Sequence, residues 1–367
     1  MGNNFVYAQP VKIWFGEGKF AALPEVLREF SFERVVLVCG RHFAPEAARL
    51  QAQIPAIRAV FSEVEPNPQL SGVMETARLA RKENAQAILG IGGGSALDTA
   101  KLAAAIAPGE EADALAYYHG EKPFPKDPLA ILCVPTTAGT GSEVTQVSVV
   151  SHGGEKRTIN HPNFMPKAAI VDPSLTMTVS AYTTMITGLD ALCHAVEGYW
   201  SKYHQPIPDL AATEAVRLIL ENLEKAYRDG SDKEARSALS YASLLGGLSF
   251  AVSKTAGCHA ASYPLSEMYH LPHGEACAFT FDSFVRINAD DRLEQLCRRA
   301  GLSGTAELAD RIRAFKKMAG LKTRLSELSD APDTDALAAA CAVHPLMQNN
   351  PVPMDKAALK AMFEALR

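Results

Sequence analysis

Two kinds of pattern divide this 367-residue chain and restrict what it can fold into: short apolar runs spaced by helical stretches at first, then helical periodicity almost alone. Residues 35–38, 87–91, 131–134 and 169–171 are short apolar runs of the kind that parallel strands show when both faces are covered. Stretches 74–82 and 95–107 read as helices between such strands. Strand and helix in alternation predict an α/β nucleotide-binding domain built on a parallel sheet.

From about Tyr182 onward the pattern becomes helical, with Leu210, Ala211, Ala215, Leu218, Ile219, Leu223 and Ala226 at helical spacing and Gly230 as a stop. Leu308, Ile312 and Phe315, then Leu359, Met362, Phe363 and Leu366, continue it as core stripes. Asp172-Pro173-Ser174 punctuates the change, because the residue before a proline is pushed out of helix. The boundary is placed at 180, giving an α/β domain over 1–180 and an all-α domain over 181–367.

Composition narrows the function classes. A net charge of −5, with 47% hydrophobic and 21% charged residues, describes an ordinary globular protein without the basic excess that recruits nucleic acid. Seven scattered cysteines with no CxxC indicate neither a disulfide framework nor a zinc ribbon, and fit reduced thiols in a cytoplasm. Met1-Gly2-Asn3-Asn4-Phe5 lacks a charged segment followed by an apolar run, and no apolar stretch approaches the ~18 residues of a membrane span. Neither export nor membrane insertion is expected.

The chemistry concentrates in two places. In Gly188-Leu189-Asp190-Ala191-Leu192-Cys193-His194-Ala195-Val196-Glu197, a helix puts Asp190 and His194 one turn apart on one face. His259 and His273 follow in a mostly apolar region. Three imidazoles and a carboxylate, with no thiolate, suit Fe(II) or Zn(II). Upstream, Gly92, Gly93 and Gly94 come directly after an apolar run, and Ser95-Ala96-Leu97-Asp98 has the form of a capping box opening a helix. Strand, glycine turn and helix start would let a pyrophosphate approach free N–H groups, although three glycines serve equally as a tight turn. Pro135 to Ser142 forms a hydroxyl-rich loop after another apolar run.

In four blocks, in order, the chain resembles the iron-containing (group III) alcohol dehydrogenase family: residues 92–101, 135–145, 188–197 and 259–274. Phe15-Gly16-Glu17-Gly18, Pro66-Asn67-Pro68 and Asn350-Pro351 extend the resemblance over essentially the whole chain. It implies a Rossmann-like dinucleotide-binding domain followed by a helical metal-binding domain, the architecture shared with dehydroquinate synthase. It also implies hydride transfer between NAD(H) or NADP(H) and a small aldehyde or alcohol on a metal held by Asp190, His194, His259 and His273. Thr136, Thr137 and Lys156 match positions that face the dinucleotide, with Asp98 and Lys101 beside them. A homodimer or larger homo-oligomer is implied as well. A lyase of the dehydroquinate synthase kind is the different-class alternative, although its ligand pattern is not the one read here.

Three departures from the family pattern carry expectations. Gly40 stands where an aspartate often accepts the adenosine ribose, and Arg41 follows, so NADP(H) is expected to be accepted at least as well as NAD(H). Tyr263 replaces a histidine proposed to relay the alcohol proton; Tyr263, water or His270 would serve instead. Lys254-Thr255, with the run from His259 to Leu265, resembles the subgroup containing phosphonoacetaldehyde reductases, in which Lys254 would bind the phosphonate with Thr255 or Ser262 donating hydrogen bonds.

Overall fold

The computed structural model describes residues 4–367, which fall into two compact units. One unit comprises residues 8–137 and 141–176; the other comprises 177–367 with 138–140 and the N-terminal residues up to Tyr7.

The first unit is built on the strands β1 (Lys12–Phe15), β2 (Val35–Gly40), β3 (Ile57–Val64), β4 (Ala87–Gly92) and β5 (Ala130–Pro135), then a hairpin β6 (Val147–His152) and β7 (Glu155–Asn160), and β8 (Ala168–Val171). Six of them form one sheet in the order β1-β8-β5-β4-β2-β3, every pairing parallel; β6 and β7 pair antiparallel. The connecting helices are α1 (Leu23–Glu29), α2 (Ala44–Gln53), α3 (Leu70–Lys82), α4 (Gly94–Ile106) and α5 (Ala114–His119). Side chains alternate across a strand, so Val36 and Val38 of β2 enter one apolar cluster while Val35, Leu37 and Cys39 enter another. Both sheet faces are thereby buried. The chain leaves β2 toward β3 and leaves β4 in the opposite direction toward β5, so the strand order reverses between β2 and β4.

The β4–α4 junction follows from its glycines. Gly92 has φ +152°, and a Cβ there would lie 2.8 Å from the Ala96 Cβ, so only glycine lets the strand turn this sharply into the helix. The expected capping box at Ser95 does not form. The helix begins at Gly94 with Gly93 as N-cap and no side-chain cap, because the Asp98 carboxylate is engaged by Ser142 and Val149 instead.

The second unit is helical: α6 (Ala181–Trp200), α7 (Pro206–Arg228), α8 (Lys233–Ser253), α9 (Gly257–Tyr269), α10 (His273–Ile287), α11 (Asp291–Arg299), α12 (Thr305–Met318), α13 (Thr334–Val343) and α14 (Lys356–Glu364). Central α6 packs on α7, α8 and α10 and is buried along nearly its whole length from Thr184. The Ser180 hydroxyl caps it by accepting from the Thr183 N–H at 3.1 Å. Of the stripe expected on α7, Ala215, Ile219, Leu223 and Ala226 are buried, but Leu210 faces solvent at 68% exposure because α7 turns a face centred on Pro208, Ala212 and Val216 to the core. Leu308, Ile312, Phe315, Leu359, Met362 and Phe363 are all core residues. All seven cysteines are buried and free. Among the described residues no helix is long and apolar enough to cross a membrane.

Candidate metal centre

One face of α6 presents Asp190 and His194, the first turn of α9 presents His259, and α10 opens on His273. The last helix approaches closely because residue 274 is glycine: a Cβ there would lie 2.3 Å from the Ile186 carbonyl oxygen. His273 therefore starts its helix against α6, one turn from Asp190.

Donor atoms of Asp190, His259, His273 and Cys277 lie within 4.8 Å of one another, and His194 joins this group through His259. His259 Nε2 lies 2.9 Å from His194 Nε2 and 3.6 Å from Asp190 Oδ1, and His273 Nε2 lies 3.7 Å from the same oxygen. Metal–ligand bonds of ~2.1 Å place neighbouring donors roughly 3.0–3.4 Å apart, and these spacings lie within a few tenths of an ångström of that range. Partners behind the rings fix their tautomers. His194 Nδ1 faces the Gly139 carbonyl at 3.2 Å and His259 Nδ1 faces Glu197 Oε2 at 2.5 Å, so each Nδ1–H donates outward and each Nε2 lone pair points inward. Two Nε2 atoms 2.9 Å apart beside a carboxylate need a metal ion or a shared proton between them. Asp190 Oδ1, buried, has no hydrogen-bond partner, which is the condition of a ligand atom awaiting a metal.

The electrostatics divide: at His259 burial is outweighed by Cys277 and Glu197, which hold the imidazole well above its usual range in the absence of a cation, while the other groups suit a metal. Burial opposes ionisation of Asp190, yet the imidazoles of His194, His273 and His259 outweigh it and hold the carboxyl below the usual range. Burial pulls His194 down to about 4, keeping it neutral and able to ligate. The side chains of Asp190, His194 and His259 are 4%, 7% and 6% exposed, but that of His273 is 32% exposed, so the cluster opens on one side, as catalytic rather than structural metal sites do. The donor set expected from sequence lacked a thiol; the structure adds Cys277, one turn after His273, with its Sγ 3.8 Å from His273 Nε2. Burial pushes that thiol up, away from the thiolate a metal would need.

In the sheet unit, Gly40 ends β2 beside Gly92 at the end of β4, where the strand order reverses. Ligands of open α/β sheets bind at such a reversal, outside the C-terminal strand ends. Gly93, Gly94 and Ser95 start α4 there; the Thr136 N–H bonds to Gly92 O at 2.9 Å, and a Cβ on Gly93 would stand 3.3 Å from Thr137 Oγ1. These residues form one edge. Lys156 donates to Asn67 Oδ1 at 3.1 Å. Asp98 is turned inward, accepting from Ser142 Oγ at 2.8 Å and from the Val149 N–H at 2.9 Å. Arg41 is exposed and paired with Glu63 of β3, Nε to Oε2 2.6 Å.

The remaining expected residues are spread out. Ser262 is buried and donates to the His259 carbonyl at 2.8 Å. Tyr263 is buried and packs against His344, ring centroids 4.4 Å apart and planes tilted by 35°. His270 is exposed at the end of α9 in left-handed conformation. Thr255 is buried, with its carbonyl bound by Asn349 Nδ2 at 2.7 Å. Lys254 is exposed, has φ +64°, and holds its ammonium 4.7 Å from the centre of the Tyr203 ring. The sequence reading passed over His344, Glu197, Cys277 and Glu63. His344 lies before a proline with no spacing to another ligand; burial and nearby His259 pull it down to about 4. Glu197 and Cys277 did carry a signal, since each stands a helical turn from a ligand.

The comparisons with known proteins give the chain its class. The family model for iron-containing alcohol dehydrogenases matches residues 10–173, and that for the C-terminal part of the Fe-containing alcohol dehydrogenase family matches 184–367. The chain belongs to the iron-containing alcohol dehydrogenase family, enzymes that are oxidoreductases. Long-chain-alcohol dehydrogenase 1 of Geobacillus thermodenitrificans is 35% identical over 83% of this chain and 81% of the relative. Alcohol dehydrogenase 4 of Saccharomyces cerevisiae is 30% identical over 98% and 97%. The crystal structure of sulfoacetaldehyde reductase from Bifidobacterium kashiwanohense in complex with NAD+ superposes with a TM-score of 0.94 at 38% identity, covering 100% of this chain and 99% of that one.

Proposed function

We propose that this enzyme reduces short aldehydes bearing an anionic tetrahedral group, a phosphonate or a sulfonate, to the alcohol, with metal on Asp190, His194, His259 and His273. The observation that carries the metal-dependent reading is the orphaned Asp190 Oδ1 among three imidazoles. When bound, the metal supplies a Lewis acid for the carbonyl oxygen and the reduced dinucleotide supplies the hydride. His194 and His259 hold their Nε2 lone pairs toward the centre, and the exposed flank of His273 leaves room for an aldehyde. Tyr263, one turn after His259 and packed against His344, is the group we assign to deliver the proton to the product oxygen.

Two features support an anionic substrate. Lys254 and Thr255 stand just before α9, whose first turn bears His259, and a helix N-terminus with a lysine favours an anion. The structural relative from Bifidobacterium is named for an aldehyde carrying a sulfonate. The test is anaerobic oxidation of reduced dinucleotide by Fe(II)-loaded enzyme with phosphonoacetaldehyde, sulfoacetaldehyde and propanal side by side. We expect an anionic aldehyde to lead in kcat/KM and Lys254→Ala to cut that lead by about tenfold or more, the worth of one charge-assisted contact. If propanal equals both, the enzyme is a general short-chain alcohol dehydrogenase.

For the dinucleotide, we propose that both NADH and NADPH serve. The Arg41–Glu63 pair is exposed, 71% and 57%, so freeing Arg41 for a 2′-phosphate costs little, about 1 kcal/mol or less. Glu63→Gln removes the competing carboxylate and is expected to raise the NADPH-to-NADH ratio of kcat/KM about threefold. A wild-type preference for NADH beyond about tenfold, 1.4 kcal/mol, would overturn dual use.

A further inference from the structure

We infer that Glu197 is a positioning residue of the metal centre, a buried carboxylate that fixes His259 as a ligand and balances part of the cation's charge. The inference rests on the metal reading above. Glu197 follows Asp190 by seven residues and His194 by three, so one face of α6 carries all three groups. It is fully buried, and both oxygens are used: Oε1 accepts from the Cys258 N–H at 2.7 Å and Oε2 from His259 Nδ1 at 2.5 Å.

The first contact satisfies a backbone N–H that the start of α9 leaves without a helical partner. A neutral acceptor could do that. The second contact is different in kind, because His194 is backed by a neutral carbonyl whereas His259 is backed by a carboxylate. Among the described residues the only ion-pair partner of Glu197 is His259. A carboxylate taken fully out of water without a lysine or arginine is costly, and a dication on the far side of the imidazole offsets that cost. Asp190 and Glu197 together bring two negative charges to a divalent ion. A carboxylate behind the ring also raises the basicity of Nε2, so Glu197 strengthens the bond it never touches.

The test measures Zn(II) and Co(II) dissociation constants of wild type and Glu197→Gln by chelator competition, with melting curves of both metal-free proteins. Glutamine keeps the size and one acceptor but removes the charge. We expect metal binding weakened roughly 10- to 100-fold in folded protein. Glu197→Gln binding within twofold of wild type, or losing metal-free stability with no change in affinity, assigns Glu197 to helix capping alone and overturns the inference. The wild-type Zn(II) form gives a second readout that needs no variant: proton NMR should show a ring N–H of His259 protected from exchange and shifted far downfield. Its absence also overturns the inference. Wild type that binds neither ion overturns the metal reading itself, so the two failures are distinguishable.

Discussion

Replacing His273 with alanine is expected to abolish turnover and stoichiometric metal together, with kcat lowered roughly a thousand-fold or more. His273 is the most exposed of the four proposed ligands and opens α10, so its truncation leaves little cavity and the fold survives. What fails is the polyhedron. Asp190 Oδ1 then keeps His259 Nε2 at 3.6 Å as a neighbour but loses the donor on the open side. The separating measurement is thermal. Wild type should gain stability on adding metal, by about 4 kcal/mol at a thousand times the dissociation constant, whereas His273→Ala should gain almost none. A variant with wild-type turnover would mean that the cluster is a buried polar network rather than a metal centre.

The sheet shows what a sequence discloses and why. The four apolar runs at 35–38, 87–91, 131–134 and 169–171 lie in β2, β4, β5 and β8, which are the four interior strands of the six. The unforeseen strands of that sheet, β1 and β3, are its edges. An interior parallel strand is covered on both faces and reads as continuous apolar sequence, whereas β1 (KIWF) and β3 (IRAVFSEV) are mostly half-buried and mix charge into the run. The hairpin β6–β7 escaped for a similar reason, since β7 (EKRTIN) has no buried position.

The site divides along the same line. Asp190 and His194 are legible because helical geometry turns a spacing of four into proximity, and His259 and His273 because histidines are rare in apolar stretches. Nothing local reveals that Glu63 reaches Arg41 from the neighbouring strand, or that His344 packs against Tyr263 from far along the chain. The capping-box reading of Ser95 and Asp98 fails for the opposite reason. The local pattern was present, but tertiary partners on the 142–149 loop took the carboxylate. Long-range polar contacts are where single-sequence reasoning loses information.

That loop is the basis of the second large expectation: Lys101→Met should destabilise the sheet unit by about 3–5 kcal/mol, the usual cost of removing one member of a buried charged network. Lys101 is fully buried on α4, and its ammonium shares three N–H groups among Ser142 O at 2.5 Å, Ser142 Oγ at 2.7 Å, Val147 O at 2.9 Å and Thr145 Oγ1 at 3.1 Å. Ser142 Oγ passes the connection to Asp98, whose other oxygen holds Val149. Methionine fills the volume but removes a donor from two carbonyls and leaves Asp98 without its counter-charge. Amide exchange over residues 142–149 should accelerate more than exchange in β2 or β4, and a uniform change, or none, would refute the network. The pH dependence adds a signed check. Burial pushes nearby Glu143 up to about 7, with its own backbone N–H and then Lys101 opposing, from an ordinary value of 4.5. Between those values the folded state keeps a proton that the unfolded state has released, so this group's contribution to stability falls as pH rises, by about 3 kcal/mol in all. Without Lys101 the folded-state value rises further, so the variant should go on losing stability above pH 7 where wild type levels off.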